Sequence, residues 1–217
     1  MCLNIEHALK IIIINKCLEK KEDGYSIIKE YFEENENVKK EILQHANNSY
    51  CEELISENRN RMPIWVFLEV ISFGELCRFC KFLEHKGYFQ KWEIDVIFNV
   101  RVLRNAAAHN HCLFSRLIRT DVKPINKVRQ YVEQMDGITK TQKNQNLKSR
   151  CIHDFVTLLF AFEYYIKSEG IINHTKEDME QLFFNRMLQR KAYFKNCITV
   201  KNAYGFVKKV LDKWCEK

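Results

Sequence analysis

Pro63-Ile64-Trp65-Val66-Phe67-Leu68-Glu69-Val70-Ile71-Ser72-Phe73-Gly74 opens the most apolar stretch of the chain. Proline is well tolerated in the first turn of a helix, where its missing N–H costs nothing. Beyond it, Ile64, Trp65, Phe67, Leu68, Val70, Ile71, Phe73, Leu76, Phe79 and Leu83 recur at helical spacing. The reading is one helix running to a stop at His85–Gly87, apolar nearly all round and therefore buried. A second apolar run, Trp92 to Leu103, leads directly into Arg104-Asn105-Ala106-Ala107-Ala108-His109.

Working outward from these two helices, nothing argues for a sheet. The 217 residues contain only 6 Gly and 2 Pro, too few for the turns of a many-stranded protein. Helical periodicity recurs over Leu3–Leu18, Tyr25–Phe32, Val38–His45, Val128–Met135, Cys151–Lys167, Lys176–Gln189 and Ala203–Cys215. Asn47 to Arg61 reads as a polar connector, and Thr139 to Ser149, polar and basic, reads as a mobile loop. The expectation is all-α. No linker divides the chain, so one helical domain over 1–217 is the simplest account, with residues 121–217 as a basic C-terminal part.

Charge is uneven. Residues 1–120 carry 17 Lys and Arg against 17 Asp and Glu, whereas residues 121–217 carry 18 against 11 and hold the whole net charge of +7. A basic half suggests a polyanionic partner, nucleic acid before a membrane surface, or else simply a lysine-rich solvated face. Lys140, Lys143 and Lys148 are the candidate RNA contacts. Lys208, Lys209 and Lys213 on the last helix read more naturally as a solvated face. The run Ile11–Ile14 lies between Lys10 and Asn15, far below the roughly 18 apolar residues a membrane span needs. With no secretory start, the nine cysteines read as reduced thiols of a cytoplasmic protein.

The sequence lacks a glycine-rich phosphate loop, a paired-carboxylate metal motif and a Gly-x-Ser-x-Gly elbow, which argues against an NTPase, an ordinary metal-dependent nuclease and a hydrolase. Cys77-Arg78-Phe79-Cys80 has the spacing of a zinc pair, with His109, His111 and Cys112 as conceivable partners. It falls inside an apolar helix, however, where cysteine packs as a small hydrophobe. No metal and no cofactor is expected.

Arg104 and His109 are the minimum kit for holding a phosphodiester and moving its proton. At about 100° per residue, Asn105 and His109 lie about 40° apart, and Arg101, Asn105 and His109 form one stripe. Arg104 sits about 140° from His109 on a regular helix, so two chains related by a two-fold axis would complete a site more easily than one. The alanines between would allow their close approach. His109 would take a proton from a ribose 2′-hydroxyl or supply one to the leaving 5′-oxygen. Arg104 would stabilise the transition state's charge and Asn105 would orient the imidazole. Glu69, if buried, needs a basic partner such as Arg101 or Arg104, and otherwise marks the helix edge. An Arg-x4-His spacing is common by chance, so a helix end with a surface Arg and His is the plainer alternative.

The segments Met62–Gly74 and Val100–Asn110 together resemble the Abi family, the AbiD/AbiF-like abortive-infection proteins of bacteria. That family's pattern is a Pro-Ile-Trp helix with Glu and Ser-Phe-Gly, then Arg-Asn-x-x-Ala-His and a trailing Arg. Leu3–Lys10 resembles a family helix, and Leu113-Phe114-Ser115-Arg116 stands where Leu-Trp-Asn-Arg is usual. The resemblance covers roughly residues 3–120. Family members usually carry a further segment before the Ile5-Glu6 helix, which this sequence does not show.

The resemblance implies the HEPN superfamily: a helical bundle, here with additional C-terminal helices, whose Arg-x4–6-His motif acts across a homodimer. It implies Arg104 and His109 as catalytic, Asn105 as the motif's polar residue, and Glu69, Arg101, Asn110 and Arg116 as supporting residues. The implied function is a metal-independent endoribonuclease of toxin type that cleaves single-stranded RNA in phage defence. A regulatory small RNA or an antitoxin would be a partner. The alternative is a non-catalytic HEPN scaffold that binds RNA or a protein. HEPN toxins silenced by a nucleotidyltransferase carry a Tyr shortly after the His; Asn110-His111-Cys112 follow here, so that modification is not expected.

Overall fold

Every regular element among the described residues is helical. The computed structural model describes residues 1–45, 50–118 and 122–216. Its helices are α1 (Cys2–Glu19), α2 (Gly24–Glu34), α3 (Glu36–His45), α4 (Glu52–Glu57), α5 (Ile64–Val70), α6 (Phe73–His85), α7 (Lys91–Ala108), α8 (Asn126–Glu133), α9 (Lys140–Asn146), α10 (Arg150–Tyr165), α11 (Glu169–Glu180), α12 (Met187–Gln189) and α13 (Ile198–Glu216). Short 3₁₀ turns occupy Leu113–Arg116 and Lys191–Phe194, and a π-helical segment, Gln181–Arg186, joins α11 to α12. The chain is all-α. It divides into two compact units, residues 6–94 and residues 95–217 with 1–5.

In the 6–94 unit, Leu9, Ile13 and Cys17 recur every fourth residue along α1 and are buried, the stripe that helical spacing requires. Asp23 caps α2, its carboxylate accepting from Tyr25 N–H at 3.2 Å and from the Ser26 hydroxyl at 2.8 Å. Those bonds hold its pKa below the ordinary carboxylate value. The core centres on Tyr31, Phe67, Phe79 and Phe82. Their rings meet mostly edge-on, Tyr31 with Phe79 at 4.9 Å and Phe67 with Phe79 at 4.9 Å. Each such pair contributes about 0.5–1.5 kcal/mol beyond the area it buries.

The single helix expected after Pro63 is two helices. Ile71 is extended, with ψ 150°, and the Ser72 hydroxyl caps α6 by accepting from Glu75 N–H at 3.2 Å. Serine in this role satisfies one of the orphan donors of a helix start, so a local side-chain bond overrides the continuous apolar pattern. The pair is not buried all round either, since Trp65 is 54% exposed. Glu69 is exposed on α5 and needs no buried partner. Glu75 is a buried carboxylate of this unit, held by the Tyr31 hydroxyl and the Arg78 guanidinium. Cys77 and Cys80 are fully buried in α6, and burial pushes the Cys80 thiol well up. They pack as small hydrophobes.

In the other unit, α10 is central. Ile152, Val156, Leu159 and Phe162 are buried along it, and it packs on α8, on α13 and on the 3₁₀ turn Leu113–Arg116. Val207, Val210, Leu211 and Trp214 supply the buried face of α13. The stretch that reads as a mobile loop, Thr139 to Ser149, is largely helix α9. Thr139 and Gln142 form a reciprocal capping box, side chain to backbone in both directions, which satisfies two orphan donors at once. Lys143 on this helix is 3% exposed and pairs with Glu133 of α8.

Candidate active site

The final turn of α7 carries the motif. Ala106, Ala107 and Ala108 keep the chain helical to its end because alanine has the highest helix propensity. The helix then closes abruptly. Asn110 adopts a left-handed conformation, φ 52°, which Asn tolerates better than other side chains. Asn110 N–H donates to Ala107 O at 3.1 Å and His111 N–H to Ala106 O at 2.8 Å. This double closure is a standard C-terminal stop with an αL residue just past the helix. His109 is the hinge residue between helix and stop, and its side chain is exposed.

Arg104 is half-buried, and its Nη1 donates to Asn105 Oδ1 at 3.4 Å. This bond is long and exposed, so it orients more than it stabilises. It nevertheless swings the guanidinium towards the Asn105 face, which lies about 40° from His109. Arg104, Asn105 and His109 all stand at the C-terminal end of α7, with Arg104 in contact with Asn105. The contact seen for Asn105 is with the cation rather than the imidazole.

The stripe continues to Arg101, whose guanidinium lies over the Phe98 ring at 4.9 Å while its Nε is buried with no hydrogen-bond partner among the described residues. Asn110 serves the helix stop. Arg116 ends the 3₁₀ turn, its side chain lying outside the described residues. Lys140 and Lys148 are exposed, as a phosphate contact requires. Lys143 is buried against Glu133 and offers no open cation. Lys208 and Lys213 pair with Asp212 and Glu216 at 2.9 and 2.7 Å, and Lys209 donates to Gly137 O at 3.2 Å. These three lysines of the last helix are thus already engaged.

A polar network that the sequence does not announce anchors α7 from behind. Asn99 Nδ2 donates to Asp154 Oδ1 at 3.0 Å, and Arg150 Nε donates to Asp154 Oδ2 at 2.7 Å. His153, 1% exposed, accepts Ile125 N–H at Nε2, 3.2 Å away. That bond leaves the ring proton on Nδ1, which faces Asp154 Oδ1 at 3.3 Å. The Arg150–Asp154 spacing of four is a legible signal; the reach of Asn99 across to α10 is not.

A model of the Abi-like protein family matches residues 1–115, more than half of the chain. The chain belongs to the Abi-like protein family. The match takes in both the Pro63 helix and the Arg104–His109 turn. Membership in the Abi-like family points to abortive-infection defence as the biological setting. No curated protein and no solved structure matches the chain. Among the described residues, no helix is long and apolar enough to cross a membrane, and no group of three or more His, Cys, Asp or Glu is placed to hold a metal ion.

Proposed function

We propose that this Abi-like chain is a HEPN-type endoribonuclease that cleaves single-stranded RNA without a metal. The observation that carries the reading is the placement of Arg104, in contact with Asn105, and of exposed His109 at the C-terminal end of α7. His109 acts as the base that removes the proton from a ribose 2′-hydroxyl. Arg104 holds the non-bridging oxygens and offsets the charge that builds on them as the phosphorus becomes pentacoordinate. The products are a 2′,3′-cyclic phosphate and a 5′-hydroxyl. Single strands fit because an exposed helix end reaches a splayed backbone and not one locked in a duplex.

A homodimer belongs to the proposal. Val102, Leu113, Phe114 and Ile118, flanking the motif in sequence, are 42, 39, 45 and 77% exposed. Large apolar side chains left in water so close to a site support a self-contact there. The test is cleavage of a single-stranded RNA oligonucleotide by the full chain with EDTA present, with product ends mapped. Cyclic phosphate ends made by wild type and absent with His109→Ala support the reading. RNA bound but never cut favours a non-catalytic scaffold.

A further inference from the structure

Cleavage by 2′-hydroxyl attack needs two proton transfers, one from the nucleophile and one to the leaving oxygen. The proposed base accounts for the first. His111 stands beside it. The left-handed turn at Asn110 folds the chain back so that residues 109 and 111 project to the same side. Their rings lie 5.7 Å apart at 29° between planes. Both are exposed, and among the described residues neither ring makes a hydrogen bond that would occupy its nitrogens. His111 is held through its backbone N–H, bonded to Ala106 O at 2.8 Å, which leaves its side chain uncommitted.

We propose that His111 is the second catalytic imidazole, the general acid that protonates the departing 5′-oxygen; the proposal rests on the nuclease reading above. The 2′-oxygen forms its bond to phosphorus as its proton passes to His109. The bond from phosphorus to the 5′-oxygen breaks, and the electron pair on that oxygen takes the proton of the His111 imidazolium. The turnover ends with His109 protonated and His111 neutral, and exchange with water restores both. Nitrogens of two rings whose centroids lie 5.7 Å apart can each come within roughly 2.6–3.2 Å of one apical oxygen when the phosphorus sits in front of the pair.

The experiment uses the full chain and two substrates, an RNA oligonucleotide and a uridine 3′-phosphodiester with a 4-nitrophenyl leaving group, which departs without protonation. His111→Ala and His111→Gln are expected to cut RNA roughly 100-fold or more slowly than wild type, yet to cleave the nitrophenyl ester at near wild-type rate. His109→Ala is expected to be slow on both. Wild-type rates on RNA for both His111 variants, or equal losses on the two substrates, overturn the assignment. Wild type that cuts neither substrate overturns the nuclease reading, and this assignment with it.

Discussion

His111 N–H donates to the carbonyl of Ala106 at 2.8 Å, so α7 closes directly beneath the His109 side chain. This one bond places both imidazoles. It depends on Asn110 staying left-handed at φ 52°. Asn110→Gly should keep the stop and the activity, because glycine reaches that conformation without a Cβ clash. Asn110→Val should destabilise by about 1–2 kcal/mol and lower RNA cleavage. Urea denaturation and a cleavage assay on the same preparations check both halves.

Gly24, the first residue of α2, lies against Ile64: a Cβ added there would sit 2.7 Å from Ile64 Cγ2. Gly24→Ala should cost about 1–3 kcal/mol through overpacking. Ile64→Ala removes the obstructing methyl, so the double variant should be less destabilised than the two losses added together. Additive losses in a double-mutant cycle would show that the two residues do not meet.

Buried Lys143 requires Glu133. Removing the carboxylate leaves an ammonium with no counter-charge in an enclosed site, whereas Lys143→Met removes the charge and keeps the stem. Glu133→Ala should therefore lower the melting temperature more than Lys143→Met does. The Lys143 ammonium holds the Glu133 carboxyl below its ordinary value. A carboxylate depressed in the folded state contributes stability above its unfolded pKa, about 4.3, and loses it as the pH falls through the lower folded value. Glu133→Gln should accordingly flatten the acid limb of a melting-temperature profile measured below that pH.

Much of this is legible in the sequence and some is not, for local reasons. Apolar spacing places α1, α2, α10 and α13 to within a few residues, because their buried stripes are unambiguous. The break at Ser72 escapes a reading by pattern because both flanks are apolar and only a hydroxyl marks the start of α6. α9 escapes it because the helix is polar throughout, although Thr139-x-x-Gln142 is a capping signature readable without any structure. The burial of Lys143 depends on Glu133 from another helix and has no local signal. In the motif, spacing sets Arg104 about 140° from His109, and the contact of Arg104 with Asn105 has no signal beyond their adjacency. His111 stands out in the sequence only as a conceivable metal ligand, since its approach to His109 requires the left-handed turn between them.

Lys140 and Lys148 are the exposed members of the basic segment. If they bind RNA phosphates, Lys140→Glu with Lys148→Glu should weaken binding across sequences alike. The slope of log affinity against log salt should then fall by roughly 0.7 for each phosphate no longer neutralised. Lys143→Met, once corrected for folding, should leave that slope unchanged. Filter binding at several salt concentrations separates these outcomes.

The central claim is that the closed end of α7 cuts RNA. Its most direct measurement is the cleavage rate of a single-stranded RNA by wild type, Arg104→Ala and His109→Ala, all in EDTA and all verified as folded by circular dichroism. The account predicts cyclic phosphate products from wild type and loss of cleavage, roughly 100-fold or more, in each variant. Cleavage at wild-type rate by both folded variants would contradict it.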